Sequence, residues 1–308
     1  MSLLPPNTLL DLRARSRGPL RRLFTRWWAN RQGDVAVRIH GFDVVLNGGN
    51  NYPLLVQDHR WFNAPVVELC HEAARALGRP LTLIDVGTAT GDTVLLLKNR
   101  CPGAVEKFFC IEGDDEFYRL AVNNLSSFKD VQVVKTMLAS ENREVASLVK
   151  HHLGTAAAIG DERVRAARLD SLPELQNARI DLLKVDVDGF DGEVLAGATA
   201  ILRDHRPAVI FEWHPKLLVK SGNEPLQAFR ALAGSGYNRC LWFTNTGLFS
   251  HFSPVSDEAS LQKLKDYLLA VNARGDEHFD VIALHETSVL DEGALARLEH
   301  ARSKADCR

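Results

Sequence analysis

The stretch from Leu81 to Leu97, LTLIDVGTATGDTVLLL, constrains the fold more than any other part of the chain. An apolar run ends in a carboxylate at Asp85, a turn of small residues follows from Gly87 to Gly91, and a helix is predicted from Asp92 onward. A strand, a glycine turn and a helix in that order are typical of the opening of a nucleotide-binding α/β unit. Because glycine carries no Cβ, the turn is expected to let a ligand approach the main chain closely.

The charge beside this turn bears on the kind of ligand. Gly87 to Gly91 does not match the G-x-G-x-x-G spacing of dinucleotide-binding loops. Asp85 would repel a pyrophosphate, but it would attract the ammonium and sulfonium groups of S-adenosylmethionine (SAM). The electrostatics therefore favour SAM over a nicotinamide cofactor. The candidate residues for its amino-acid end are Asp85, Gly87, Thr88 and Gly91.

Strands and helices continue to alternate after this unit. The apolar runs predict strands at Val105–Gly113, Val131–Ala139, Ile180–Val187, Pro207–Trp213, Arg239–Thr244 and Phe279–His285. Because these runs are almost continuously apolar, they indicate a parallel sheet covered on both faces. Residues 141–179 are less regular, with a helical piece near Glu144–His151 and a strand at Val164–Leu169.

Three regions are expected. Residues 1–63 hold an irregular basic arm, an amphipathic helix and a small strand region, residues 64–286 form the α/β domain, and residues 287–308 form a C-terminal surface helix or tail. Residues 1–40 carry eight arginines but only two acidic residues. The helix from Leu20 to Trp28 fits either contact with an anionic membrane or a cap over the core or a dimer interface. The second is favoured, since a helix of about nine residues binds a bilayer weakly.

Composition narrows the class of protein. The net charge of -2 gives no global field that would attract nucleic acid. The five cysteines are odd in number and scattered, which is typical of a reduced compartment and not of a disulfide framework or zinc site. No apolar run approaches the roughly 18 residues of a membrane span, and the N-terminus does not resemble a signal peptide. A cytoplasmic protein is therefore expected.

Two strand ends offer further cofactor contacts. Glu112 ends the second strand, 25 residues after Gly87, where an acidic residue typically hydrogen-bonds ribose hydroxyls. The alternative is a solvated carboxylate with no ligand. Leu138 and Ala139 end the third strand and are expected to border the adenine.

The catalytic candidates follow the fourth and fifth strands. Lys184, Asp186 and Asp188 alternate along one strand and are expected to share a face that borders the cleft. Asp186 is the first candidate base, and a structural Lys184–Asp186 ion pair is the alternative for Lys184. His214 titrates near neutral pH and is the second candidate base, with a structural role as its alternative. Mg²⁺ on Asp186, Asp188 and Asp191 is possible but unsupported.

Several motifs in order carry a family resemblance. They are Asp85-Val86-Gly87 through Gly91, Ile111-Glu112, Arg168-Leu169-Asp170, Asp181 through Gly189, and Val194 through Ala198. Together they resemble the FkbM family of SAM-dependent methyltransferases, over roughly residues 80–215. The resemblance implies a class I methyltransferase (Rossmann-like) fold, which is a doubly wound, mostly parallel seven-stranded sheet with an antiparallel last strand. It also implies SAM as cofactor and O-methylation of a sugar or a polyketide-type hydroxyl.

The chain departs from the family pattern at three positions. Thr88 stands where the family usually has alanine, Gly113 stands where a proline often follows the acidic residue, and Asp188 replaces a more usual glutamate. The expected partner is a small-molecule or glycan hydroxyl acceptor, and a homodimer is possible. The acceptor pocket is expected from residues 141–165, the region after His214, and Trp242–Asn245. A catalytically silent scaffold that binds SAM or a glycan is the alternative from another class.

Overall fold

The computed structural model describes residues 4–150, 156–271, 277–290 and 292–299. Its strands, in chain order, are β1 (Asp34–Ile39), β2 (Phe42–Asn47), β3 (Leu81–Val86), β4 (Val105–Glu112), β5 (Val131–Lys135), β6 (Met137–Leu138), β7 (Arg143–Lys150), β8 (Ala156–Ala167), β9 (Leu182–Val185), β10 (Ala208–Trp213), β11 (Tyr237–Thr244), β12 (Phe249–Pro254) and β13 (Phe279–His285). Its α-helices are α1 (Pro6–Arg15), α2 (Gly18–Ala29), α3 (Tyr52–Asp58), α4 (Ala64–Leu77), α5 (Asp92–Arg100), α6 (Asp115–Leu125), α7 (Asp191–Ala196), α8 (Thr199–Asp204), α9 (Pro215–Lys220), α10 (Gln227–Gly234), α11 (Glu258–Val271) and α12 (Glu292–Glu299).

The centre of the fold is an eight-stranded sheet in the order β12-β11-β13-β10-β9-β3-β4-β5. The neighbouring strands β10, β9, β3, β4 and β5 pair in parallel. β13 lies between β10 and β11 and is antiparallel to both. This confirms the expected doubly wound α/β sheet with an antiparallel last strand. It has one strand more than expected, because β12 pairs with the outer side of β11. In the sheet, β4 lies on one side of β3 and the later strand β9 lies on its other side. The strand order therefore reverses at β3, which makes this position a topological switch point.

Apolar side chains cover both faces of this sheet. One core joins Leu83 and Leu182 of the strands to the N-terminal helices, α4, α5 and α12. The other joins Leu183 and Trp213 to α7, α8 and α10. The N-terminal region therefore packs on the same core as the helix that follows it. Such two-sided burial explains the continuous apolar runs of the parallel strands.

The N-terminus is more regular than expected. α1 occupies part of the predicted irregular arm, and Pro6 at its first position needs no amide hydrogen-bond partner there. In α2, Trp28 is fully buried, and its Nε1 donates a hydrogen bond of 2.5 Å to the carbonyl oxygen of Asn50. Trp27 packs partly buried against the same core. These contacts agree with the favoured interpretation that the tryptophans cap the core.

Two predictions in the middle of the chain are wrong. The helix near Glu144–His151 is strand β7, which pairs antiparallel with β8, and His151 lies outside the described residues. The third strand of the main sheet ends at Lys135 instead of Ala139. The Thr136 amide then donates to the carbonyl oxygen of Glu112 at 3.1 Å, and the chain enters a separate sheet, β6-β8-β7. This small sheet forms a wall beside the carboxyl ends of the main strands.

The four cysteines within the described ranges are free and buried, and Cys307 lies outside those ranges. None of the described helices combines the length and apolar character that crossing a membrane requires.

Candidate active site

A cavity with about 840 Å³ of empty space, part of it open to solvent, lies at the carboxyl ends of β3, β4 and β9. This is the edge of the sheet at which open α/β folds bind ligands. Five of the candidate residues line the cavity, namely Gly87, Glu112, Leu138, Ala139 and Asp186. The other five do not, and they are Asp85, Thr88, Gly91, Lys184 and His214.

Gly87 is required by the neighbouring strand. Its φ is +79°, in the left-handed region, and a Cβ there would lie 1.8 Å from the carbonyl oxygen of Asp186. The main chains after β3 and β9 therefore cross in contact, and no side chain fits between them. Gly87 also lines the cavity, so close approach of a ligand, the reason expected from the sequence, stays a prediction beside this packing requirement. Gly91 is likewise left-handed, and a Cβ on it would meet the side chain of Leu125 at 2.9 Å.

Hydrogen bonds hold the turn between Gly87 and Gly91 in place. Thr88 is 1% exposed, and its Oγ1 donates a hydrogen bond of 2.8 Å to the carbonyl oxygen of Asp85. Ala89 has a φ of +48°, which is uncommon for a residue with a Cβ. The Ala89 amide donates to Oε2 of Glu112 at 2.8 Å. The turn is thus held by side chains on both sides of it.

Glu112 joins two loops at the floor of the site. Its Oε2 accepts from Ala89, and its Oε1 accepts from the Asp114 amide at 2.8 Å. Burial raises the pKa of Glu112 to about 7, against the opposing effect of the Asp114 and Ala89 amides. A carboxylate has about four lone-pair positions, so acceptor capacity for further hydrogen bonds remains after these two.

Lys184 lies between two carboxylates. Its Nζ is 3.3 Å from Oδ1 of Asp85 and 3.2 Å from Oδ2 of Asp186. The contact with Asp85 follows from the register of β3 and β9, which pairs these two residues directly. Burial lowers the pKa of Lys184, but Asp186, Asp85 and Asp92 outweigh it and raise the pKa overall, so the ammonium stays protonated.

Asp85 does not reach the cavity. Its side chain is fully buried, and its charge is met by Lys184. This corrects the expectation that Asp85 presents its charge to a cationic ligand. The sequence places a carboxylate near the end of the strand, but the side chain that lies beside it is decided by the register with the neighbouring strand.

Asp186 is the carboxylate that the cavity exposes. It follows the last residue of β9, and 48% of its side chain is exposed. The exposed part lines concave surface, so removal of solvent raises its pKa, Lys184 lowers it, and Glu212 raises it further. Asp188 also lines the cavity, but with a φ of +49° it has left the strand, so the predicted alternation ends at Asp186.

His214 lies away from the cavity. It is 2% exposed, and its ring stacks on that of His278 at a centroid distance of 4.8 Å and an angle of 16°. Nε2 of His278 is 3.1 Å from Oε1 of Glu212. His214 therefore does not line this cavity, whereas Asp186 does, and the role of either residue as the base stays a prediction.

Two charged residues of the cavity were missed in the sequence. Arg143 and Glu193 both line it, and Nη2 of Arg143 is 2.5 Å from Oε2 of Glu193. Burial raises the pKa of Glu193, but hydrogen bonds from Gln227 and Ser140 together with Arg143 lower it overall. Arg143 falls in the irregular region that was expected to build a pocket, whereas no sequence signal marks Glu193.

Metal ligation finds no support here. Within the described ranges, no group of three or more His, Cys, Asp or Glu side chains is placed to hold a metal ion. Asp191, proposed as an oxygen ligand, instead accepts hydrogen bonds from the amides of Val187 at 3.4 Å and Gly189 at 3.3 Å.

A family model described as the methyltransferase FkbM domain matches residues 85–238, which is half of the 308-residue chain. The chain belongs to this family. The matched FkbM domain begins at Asp85 and includes β9 with Asp186, so it contains the predicted cofactor and catalytic residues. The resemblance drawn from the motifs, and with it the assignment to the methyltransferases, is confirmed.

Solved structures are similar only at a distance. An FkbM methyltransferase from Methylobacillus flagellatus KT shares 14% identity, with a TM-score of 0.35, over 44% of this chain and 33% of that chain. The match therefore spans a third of that protein. A precorrin-6y C5,15-methyltransferase from Geobacter metallireducens GS-15 shares 14% identity over 70% and 86% of the two chains, with a TM-score of 0.36. A ribosomal protein L11 methylase from Lactobacillus delbrueckii subsp. bulgaricus shares 16% over 78% and 82%, with a TM-score of 0.37. Among curated proteins, none matches the chain significantly.

Proposed function

We propose that this protein is a SAM-dependent O-methyltransferase that acts on a hydroxyl group of a sugar, a polysaccharide precursor or a similar natural product. The supporting observation is the cavity at the carboxyl ends of β3, β4 and β9, which is bordered by Glu112 and by Asp186. Family membership supports the methyl donor. The class of acceptor rests on the resemblance of the motifs.

The cavity residues fit an adenosyl ligand. Most of the cavity lining is apolar and a few polar groups converge on it, which is typical of small-molecule sites. Glu112 retains acceptor capacity for ribose hydroxyls, and Leu138 and Ala139 border the space assigned to adenine. The fit no longer includes Asp85, so the acidic groups that a cationic ligand would meet in this cavity are Glu112, Asp186, Asp188 and Glu193.

SAM supplies an activated methyl group when bound, so the protein has mainly to position the acceptor and remove a proton. Asp186 is the group that accepts the proton of the acceptor hydroxyl. Its raised pKa makes it a stronger base than an ordinary carboxylate. Lys184 is a positioning residue, because its Nζ holds Oδ2 of Asp186 at 3.2 Å.

The alternative functions predict different results for ligand binding and turnover. A silent scaffold would bind SAM or a glycan without turnover. A nicotinamide-dependent oxidoreductase would bind NADH tightly and SAM weakly, and neither the turn spacing nor the family favours it.

We also propose a cytoplasmic location without nucleic-acid partners. Activity with and without EDTA will decide metal dependence.

Calorimetry with SAM tests the binding, and release of S-adenosylhomocysteine over a panel of hydroxyl compounds tests the reaction. For Asp186→Asn we expect kcat to fall about 10²- to 10⁴-fold with SAM binding retained, since proton removal contributes that much. Asp43→Asn is the control, because Asp43 is exposed and pairs with Arg38 on the first hairpin. Absence of a binding heat for SAM, or full turnover by Asp186→Asn, would contradict the proposal.

A further inference from the structure

Leucines on the N-terminal helices α1 and α2 remain exposed, although other apolar residues of these helices enter the core. On α2, Leu20 is 59% exposed and Leu23 is 41% exposed, and on α1, Leu12 is 38% exposed. Leu20 and Leu23 are three positions apart, so they are neighbours on the surface of the helix. Single exposed leucines are ordinary on a protein surface, but the charges around these three set them apart.

The same two helices and the turn between them expose four cations. The cations, which together with the three leucines form what we call the N-terminal patch, are Arg15, Arg17, Arg22 and Arg26. No ion pair links these four guanidinium groups to any side chain in the described part of the chain, whereas Arg13 and Arg21 both pair with Asp58. The two helices carry a single carboxylate, that of Asp11. The patch is therefore both apolar and positively charged.

Arginines lie directly beside the leucines on α2. Arg26 is three positions after Leu23 and four positions after Arg22, so these side chains are neighbours on the helix. Two like charges four positions apart destabilise a helix. Arg22 and Arg26 therefore weaken α2, and no ion pair with a described residue offsets this cost. A partner that supplies negative charge would turn the repulsion into attraction.

Both helices are fixed to the body of the protein before any partner binds. Trp28 anchors the end of α2 in the core, and Nη2 of Arg13 on α1 is 2.6 Å from Oδ2 of Asp58 on α3. A free helix of this length is marginal in water, so it would have to fold as it binds. Here the fold has already ordered the helices, and the affinity of the patch is not reduced by that cost. The weak bilayer binding expected for a short free helix applies less to this surface.

We propose that the N-terminal patch binds the surface of an anionic lipid membrane. The arginines contact the lipid phosphates, and the leucines enter the boundary between headgroups and acyl chains. Arginine stems are long enough for the guanidinium groups to stay at the phosphates while the leucines lie deeper. The cytoplasmic leaflet of a membrane is anionic, in agreement with the proposed location of the protein. The proposal does not depend on the proposed function, because no residue of the patch lines the cofactor cavity.

Other kinds of partner satisfy only half of the patch. A nucleic acid would offer phosphates to the arginines, but the leucines would stay in water. An apolar protein surface would cover the leucines, but removing four arginines from water without counter-charges is costly. An anionic membrane accommodates both kinds of side chain. Each basic residue near such a surface strengthens binding about fivefold, so the four arginines supply most of the expected affinity.

Sedimentation with lipid vesicles tests the proposal on the full-length protein. The vesicles are phosphatidylcholine, either alone or with about 30% phosphatidylglycerol to give an anionic surface. We expect binding to the anionic vesicles at least tenfold tighter than to phosphatidylcholine alone. Raising the salt from about 0.1 M to about 1 M shortens the Debye length from about 10 Å to about 3 Å and should weaken that binding at least tenfold. Equal binding to both vesicles, or binding to neither, would overturn the proposal.

Double arginine variants separate the patch from the charge of the whole protein. For Arg22→Gln with Arg26→Gln we expect binding to the anionic vesicles to weaken at least tenfold. Lys220→Gln with Lys263→Gln is the matched control, because it removes the same charge from exposed positions on α9 and α11, which pack on the other core. We expect this control to bind within twofold of the unmodified protein. Equal weakening in the two double variants would overturn the role of the patch.

Double leucine variants test the apolar contact. For Leu20→Gln with Leu23→Gln we expect at least fivefold weaker binding at both salt concentrations, and for Val219→Gln with Tyr267→Gln, 52% and 61% exposed on α9 and α11, no change. Urea unfolding shows whether each variant is folded, and alanine replaces glutamine where it is not. Unchanged binding of the leucine variant would overturn the proposal, as would a DNA duplex bound as tightly as the anionic vesicles. A dimer that the leucine variant dissociates would assign the patch to a second copy of the chain instead.

Discussion

Replacing Gly87 with alanine tests whether the crossing of two strand ends organises the site. Both Gly87 and Gly103 have a φ of +79°, so an alanine at either position carries the same left-handed strain. That strain costs about 1–2 kcal/mol for a residue with a Cβ. Gly103 is the matched control, because a Cβ there would have nothing within 4 Å.

The two variants differ in what the new Cβ meets. At Gly87 it would lie 1.8 Å from the carbonyl oxygen of Asp186, a backbone atom that cannot rotate away. Carbon–oxygen contacts run at roughly 3.3 Å or more, so the two chains must separate by more than an ångström. Overpacking of this kind adds about 1–3 kcal/mol. The expected loss of unfolding free energy is therefore about 2–5 kcal/mol for Gly87→Ala and about 1–2 kcal/mol for Gly103→Ala.

Urea unfolding measures both losses, and calorimetry measures SAM binding by the same proteins. We expect Gly87→Ala to weaken SAM binding at least tenfold, because Asp186 and the turn move apart, and Gly103→Ala to leave it unchanged. Equal stability of the two variants would refute the contact between the strand ends. Normal SAM binding by a destabilised Gly87→Ala protein would refute its importance for the site.

Three further predictions concern buried groups. Lys184→Met should cost about 3–5 kcal/mol, since Asp85 is left buried without its cation, and Asp85→Asn in the same protein should restore part of that loss in urea unfolding. Because the pKa of Glu112 is about 7 in the folded protein, against an ordinary 4.5, the folded state binds the proton more tightly and the unfolding free energy should fall as pH rises between these values. Glu112→Gln should reduce that slope by about one proton, and an unchanged slope would contradict the raised pKa. Trp28→Ala should cost about 3–5 kcal/mol, as expected for a fully buried tryptophan, and more than Trp27→Ala; equal losses would contradict its place in the core.

Predictions from the sequence were most accurate where a local residue pattern determines the structure. The alternation of apolar runs and helices was enough for the doubly wound sheet, and the final strand, Phe279–His285, was predicted with the bounds that the structure has. Gly87, Glu112 and Asp186 were expected at one edge because parallel strands end there together. The predicted roles of these residues still await the experiments above.

Predictions from the sequence were wrong where contacts between distant parts of the chain determine the structure. Asp85 meets Lys184 through the register of β3 with β9, and nothing near Asp85 in the sequence shows which strand lies beside it. In β7, apolar residues at Val145, Leu148 and Val149 have helical spacing, but pairing with β8 overrides that short pattern.

Because Lys184 contacts both Asp85 and Asp186, it links the stability of the sheet to the basicity of the proposed catalytic base. Its ammonium both neutralises Asp85 inside the sheet and lowers the basicity of Asp186 at the cavity. A mutation that makes Asp85 neutral would leave Lys184 to Asp186 alone and would weaken the base, although the mutated atom never touches a ligand. In related chains we therefore expect positions 85 and 184 to change together, because a step at one of them alone would harm either folding or catalysis.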